Sequence, residues 1–210
     1  KSALPKQFIP IADKPILMHT LQRFKGCFDD IQLMVVLPEK HIKLWRELCT
    51  EFSFTVNHNI VKGGKTRFHS VKNGLERIDG DGIIAVHDGV RPFASTDTIR
   101  KGFSLAEKEG ASIPVTPLKE SIRRVNEDGS HNAEIRDDFK LVQTPQCFRS
   151  EIIKKAYDTR YKEAYTDDAA VVEDAGYPVS LFEGNYENLK ITNMFDLAVA
   201  ELLTKRRYIL

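Results

Sequence analysis

Residues 83–86 read Ile-Ile-Ala-Val, four apolar side chains with no polar alternation, and the run stops abruptly at His87 and Asp88. A half-solvated strand alternates apolar and polar residues. An unbroken short apolar run instead predicts a strand covered on both faces, and hence a parallel sheet. The neighbouring segments agree. Helical spacing predicts helices over residues 15–24, with Pro15 in the first turn, and over 42–52, 67–78 and 96–109. Compact apolar runs predict strands over 31–37, 54–56 and 111–115, and Gly63-Gly64 marks a turn before the helix at Arg67. Strands alternating with helices predict an α/β class: a doubly wound, mostly parallel, Rossmann-like sheet with right-handed crossovers.

That sheet gives Asp88 its interest. A carboxylate just past the carboxyl end of a buried parallel strand lies where open α/β sheets bind ligands. Asp88 could hold a divalent cation through oxygen, Arg91 could face a phosphate, and Lys6 adds positive charge from an early segment.

The alternation breaks between Pro117 and Leu141. Asn126-Glu127-Asp128-Gly129 is a turn signal, preceded by Ser121-Ile122-Arg123-Arg124-Val125. This predicts a protruding β-hairpin arm over about 117–141. Either it packs on a second subunit or it is a solvated surface loop. The pattern then resumes, with helices predicted over 150–157, 166–175 and 194–203 and strands over 179–182 and 189–192. The whole of 1–210 reads as a single domain.

The totals narrow the partners. A formal net charge of +1 does not imply a nucleic-acid surface. No apolar stretch approaches the roughly 20 residues needed to cross a bilayer. Cys27, Cys49 and Cys147 are odd in number and lack metal-ligand spacing, which suits reduced thiols in a cytoplasmic protein.

Six motifs occur in order: PKQF, GGxxRxxSVxNGL, HDxVRPF, LxxTPQxF, TDDAxxVE and ENLKITxxxDLxxAE. Together, from Leu4 to Leu203, they resemble the 2-C-methyl-D-erythritol 4-phosphate cytidylyltransferase family of non-mevalonate isoprenoid synthesis. The ribitol 5-phosphate cytidylyltransferases share most of these motifs. The family carries a strand and a glycine-rich, arginine-bearing loop upstream of PKQF. Lys1-Ser2-Ala3 begins just after that point, so a native strand and loop are expected to precede it.

The resemblance implies transfer of CMP from CTP to a phosphorylated polyol, with magnesium as cofactor. The attacking phosphate is already an anion, so the work is charge neutralisation and alignment. Lys6 and Lys190 match the family's catalytic lysines. Gly64, Ser70, Asp88 and Gly89 match its nucleotide site, with Asp88 also a metal ligand and Gly89 leaving room at the backbone for ribose or cytosine. Arg91 would contact the substrate or orient Asp88. Ser121, Arg136 and Thr144 match the sugar-phosphate site. The first two lie on the arm and, in the family, reach a neighbouring subunit, which implies a homodimer. Lys190 sits in a predicted apolar strand, where an unpaired lysine would be costly. Residue types alone leave other readings open: a turn for Gly63-Gly64, an ion pair of Arg136 with Asp137 or Asp138, and a helix N-cap for Thr166-Asp167-Asp168. A non-catalytic nucleotide- or sugar-phosphate-binding module is the remaining alternative.

Overall fold

The computed structural model describes residues 4–206. In chain order its elements are β1 (Pro10–Ile11), β2 (Lys14–Pro15), α1 (Ile16–Lys25), β3 (Met34–Leu37), α2 (Glu39–Glu51), β4 (Asn59–Lys62), α3 (Arg67–Leu75) and β5 (Ile83–Val86). They continue with α4 (Thr96–Glu109), β6 (Ala111–Pro117), β7 (Ile122–Val125), β8 (His131–Glu134), β9 (Lys140–Val142), β10 (Gln146–Arg149), α5 (Ser150–Ala156), α6 (Asp168–Asp174), β11 (Ser180–Glu183) and α7 (Met194–Arg206). The junction expected at Lys1–Ala3 lies outside the described residues.

The α/β class stands, with one correction to the sheet, which is mixed. Its order is β11-β6-β10-β5, with β9 also on β6. β11 lies parallel to β6, whereas β10 runs antiparallel to both β6 and β5. β3 and β4 form a separate parallel pair. The parallel reading of residues 83–86 is therefore overturned for the partner they have. All four residues are also only half-buried, because one ladder alone covers β5 among the described residues. An apolar run reports that a strand is covered, not which way its neighbour points.

Two other strands are corrected. Residues 54–56 form no ladder. Phe54 and Val56 pack as coil against Trp45, and pairing with β3 begins at Asn59, opposite Met34. Residues 189–192 are not strand either, and a backbone bond from Ile191 N to Val90 O (3.0 Å) ties them to the 87–92 loop. β7 and β8 pair antiparallel, with most of their side chains exposed.

Packing explains how the site is held. Phe8, 1 % exposed, stacks on Trp45 with ring centroids 5.6 Å apart. Burying a phenylalanine ring contributes about 1.5–3 kcal/mol, and here it anchors the 3-10 turn Lys6–Phe8 that presents Lys6. Helix α4 keeps its predicted bounds because both ends are chemically marked. Ser95 Oγ accepts from Thr98 N, and Gly110 closes the helix at φ +97°, a conformation strained for other residues.

Candidate active site

The register of β10 on β5 builds the centre of the site. Gln146 pairs with Val86, so two residues beyond that pair Thr144 lies opposite Asp88. Asp88 N donates to Thr144 Oγ1 at 3.1 Å. The same hydroxyl lies 3.0 Å from His87 Nδ1, and His87 Nε2 lies 2.9 Å from the carbonyl of Arg91. A carbonyl only accepts, so Nε2 carries the proton of the neutral ring. Nδ1 is then an acceptor, and the Thr144 hydroxyl donates to it. Burial drives the His87 pKa down from 6.5 to about 4, which keeps this tautomer neutral in ordinary buffers. His87 is thus a spacer inside the loop.

Two cations clasp the Asp88 carboxylate. Arg91 Nε and Lys190 Nζ each lie 3.1 Å from Oδ2. Burial pushes the Asp88 carboxyl upward, but the Lys190 and Arg91 charges outweigh it and hold the group below its ordinary value. Arg91 also donates from Nη1 to the carbonyl of Asn188 at 2.7 Å. Of the two roles open to Arg91, its bonds here serve the orientation of Asp88. Lys190 is neither in a strand nor unpaired: its side chain is 46 % exposed and its partner is Asp88. Lys6, exposed, hydrogen-bonds the carbonyl of Thr192, which draws the early turn to the same segment. Lys6, Asp88, Arg91, Thr144 and Lys190 therefore gather where the 87–92 loop, the entry to β10 and residues 188–192 meet.

Gly64 and Ser70 form a second part. Gly64 N donates to Ser70 Oγ at 3.1 Å, and Ser70 Oγ donates to Thr66 O at 2.9 Å. A Cβ on Gly64 would lie 2.4 Å from His69 Cβ and 2.9 Å from the His69 carbonyl carbon, so only glycine fits. At Gly89 the close neighbour is α1: a Cβ there would meet Leu17 Cδ1 at 3.0 Å, and Thr20 Oγ1 donates to the Gly89 carbonyl at 3.0 Å. The Cβ side of Gly89 thus faces the end of the Leu17 side chain on α1.

Ser121 and Arg136 stand apart from Asp88. Arg136 donates to the carbonyl of Lys119 at 2.8 Å and lies 3.5 Å from Asp137, and Ser121 is exposed. The TDD segment is structural. Asp167, rather than Thr166, caps α6 by accepting from Ala170 N, and fully buried Asp168 takes a forked pair from Arg67 (2.9 and 2.5 Å) and the Tyr157 hydroxyl (2.6 Å). No group of three or more His, Cys, Asp or Glu residues could hold a metal among the described residues. Asp88 Oδ1 nonetheless has no protein partner among them, which leaves one carboxylate oxygen of the kind that suits a divalent cation. His87 and Arg67 are letters of the HDxVRPF and GGxxRxxSVxNGL motifs, but the sequence assigned neither of them a site role. Their importance depends on bonds 57 and 101 residues distant in sequence.

This fold, with Lys190 and Arg91 converging on the Asp88 carboxylate at a strand end and Lys6 drawn to the neighbouring 188–192 segment, defines an α/β nucleotidyltransferase. Solved structures carry the same fold. A 4-diphosphocytidyl-2C-methyl-D-erythritol synthase from Anaerococcus prevotii matches with TM-score 0.84 and 26 % identity, covering 98 % of this chain and 92 % of its own. A 2-C-methyl-D-erythritol 4-phosphate cytidylyltransferase from Thermus thermophilus gives TM-score 0.80 and 30 % identity over 97 % and 96 % of the two chains. The sequence profile described as 2-C-methyl-D-erythritol 4-phosphate cytidylyltransferase matches residues 1–206. A curated relative of that name from Bacteroides fragilis is 50 % identical over 202 residues, 96 % of this chain and 92 % of its own length. The chain belongs to the 2-C-methyl-D-erythritol 4-phosphate cytidylyltransferase family.

Proposed function

We propose that this protein transfers CMP from CTP to 2-C-methyl-D-erythritol 4-phosphate, yielding 4-diphosphocytidyl-2-C-methyl-D-erythritol and pyrophosphate for isoprenoid synthesis. The observation that carries the reading is the convergence of Lys190, Arg91 and Thr144 on Asp88, with Lys6 tied in through Thr192. A phosphate oxygen of the polyol forms a bond to the α-phosphorus of CTP. The bond from that phosphorus to the bridging oxygen breaks, and pyrophosphate leaves with the electron pair. Lys6 and Lys190 neutralise charge around the α-phosphate, a role that preorganised cations fill without a general base. The Gly64 turn and Ser70 receive the cytosine, where fixed backbone and hydroxyl groups tell an exocyclic amine from a carbonyl. Arg136, Ser121 and Thr144 hold the polyol phosphate, with the guanidinium as a two-pronged clamp. Asp88 is the residue that would hold a divalent cation, which would supply further neutralisation of phosphate charge.

The hairpin is read as the contact of a homodimer that brings Ser121 and Arg136 to a neighbouring site. Val125, Ile135 and Leu141, 54–70 % exposed, are the apolar groups available for that contact. A cytoplasmic setting accords with the three unpaired cysteines.

The test is pyrophosphate release from CTP and magnesium with methylerythritol phosphate or D-ribitol 5-phosphate as acceptor. Strong preference for the first supports the reading. Preference for the second keeps the chemistry and overturns the substrate, and silence with both favours a binding module.

A further inference from the structure

Asn188 is 0 % exposed, yet its side chain is polar and incompletely paired. Nδ2 donates to the carbonyl of Thr144 at 2.8 Å and to Gln143 Oε1 at 3.3 Å, while Oδ1 has no partner. Leaving a buried amide oxygen unpaired is costly, because its water partner is lost and nothing replaces it. A leucine here would take the donor from two buried acceptors, the Thr144 carbonyl and Gln143 Oε1, so the asparagine serves the pairing of its neighbours as well as carrying an orphan oxygen. Its bonds also lead to Asp88. Every support of Asp88 passes through this residue or stands beside it. The Nδ2 bond holds Thr144, whose hydroxyl takes the Asp88 N–H. The main-chain carbonyl of Asn188 holds the Arg91 guanidinium, whose Nε binds the Asp88 carboxylate. Lys190, two residues on, binds the same carboxylate.

We propose that Asn188 is a positioning residue for nucleotidyl transfer. Its amide sets Thr144 and its carbonyl sets Arg91, so that both meet Asp88 in one arrangement together with Lys190. It touches no reacting atom. The inference rests on the function proposed above and deepens it, because it names the residue that holds the polyol-phosphate side of the site (Thr144) in register with Asp88.

The test is a double-mutant cycle of Asn188→Leu and Thr144→Val, with Asn188→Ser as a second way of removing the bond to Thr144. Small displacements of positioning groups cost up to about 100-fold in rate. The expected result is that kcat/KM for the polyol phosphate falls about 10–100-fold in each single variant. CTP affinity should change less than about threefold, and the double variant should be no worse than the poorer single, because linked residues are not additive. Independent, multiplying losses, or wild-type kinetics in both Asn188 variants, would overturn the proposal. A second readout needs no turnover. His87 Nδ1 accepts from the Thr144 hydroxyl, so its ¹⁵N resonance should shift in both Asn188 variants at unchanged pH. An unmoved resonance counts against the proposal even if wild-type protein turns over neither polyol, an outcome that would sink the proposed function instead.

Discussion

Replacing Asp168 with asparagine should destabilise the protein far more than an average surface change, because this carboxylate is fully buried and every oxygen is engaged. Arg67 reaches it with two nitrogens, Tyr157 donates its hydroxyl to Oδ1, and Gln146 Oε1 accepts from the Asp168 backbone N–H at 3.0 Å. Asparagine keeps the shape but presents an NH₂ where the carboxylate had an oxygen. One donor of Arg67 or Tyr157 then faces another donor. Breaking a buried pair costs about 3–5 kcal/mol. The Arg67 side chain is 38 % exposed and regains some solvation, which lowers the expectation to about 2–3 kcal/mol. For a chain of this size, about 2–4 °C of Tm accompany each kcal/mol, so the melting temperature should fall by about 4–12 °C. Equilibrium urea unfolding of wild type and Asp168→Asn gives the difference directly. Arg67→Met should be worse, since it strands the negative charge in the interior, and the double variant should recover part of the loss. A loss under about 1 kcal/mol for Asp168→Asn, or strict additivity in the cycle, would refute the reasoning.

Other outcomes follow from the same geometry. Lys6→Ala should lower kcat by about 100–1,000-fold with a much smaller change in CTP affinity, measured by steady-state kinetics beside calorimetry. Equal losses in both would make Lys6 a simple binding group. Gly64→Ala should collapse CTP binding, because the new Cβ would overlap His69; near-normal affinity would show that the turn can move. His87 binds fewer protons folded than unfolded, with a pKa near 4 against 6.5, so its stability contribution is full above about pH 6.5 and is lost as pH falls toward 4. The ring keeps some exposure, so about 1–2 kcal/mol of the urea-derived stability should disappear across that window in wild type and not in His87→Gln. Asp88, held low by Lys190 and Arg91, contributes stability that is present above the unfolded carboxyl pKa and lost only as pH drops through its lower folded value. In native-state thiol labelling Cys49 should react first, because burial raises all three thiol pKa values but Cys49 alone of the three is not buried.

Local chemistry carried much of this protein on its face. The ends of α4 are legible because Ser95 and Gly110 mark them within one turn of chain, and Lys6 is legible only through the PKQF motif of the family resemblance. The motif residues Asp88, Arg91, Thr144 and Lys190 could be picked out one by one from the sequence. Only the tertiary structure decided how they meet. Strand direction is set by long-range pairing, so the apolar run 83–86 could not announce that β10 lies antiparallel beside it, and that pairing is what sets Thr144 opposite Asp88. A lysine in an apolar stretch could not disclose that its partner is a carboxylate about a hundred residues earlier. The threonine-acid-acid segment could not show that its second acid is buried under Arg67 and Tyr157. Residue types and short spacings encode helix ends, turns and the kinds of charge available. Partners across the chain are chosen by packing and by the need to pair every buried polar group, and these are properties of the folded whole.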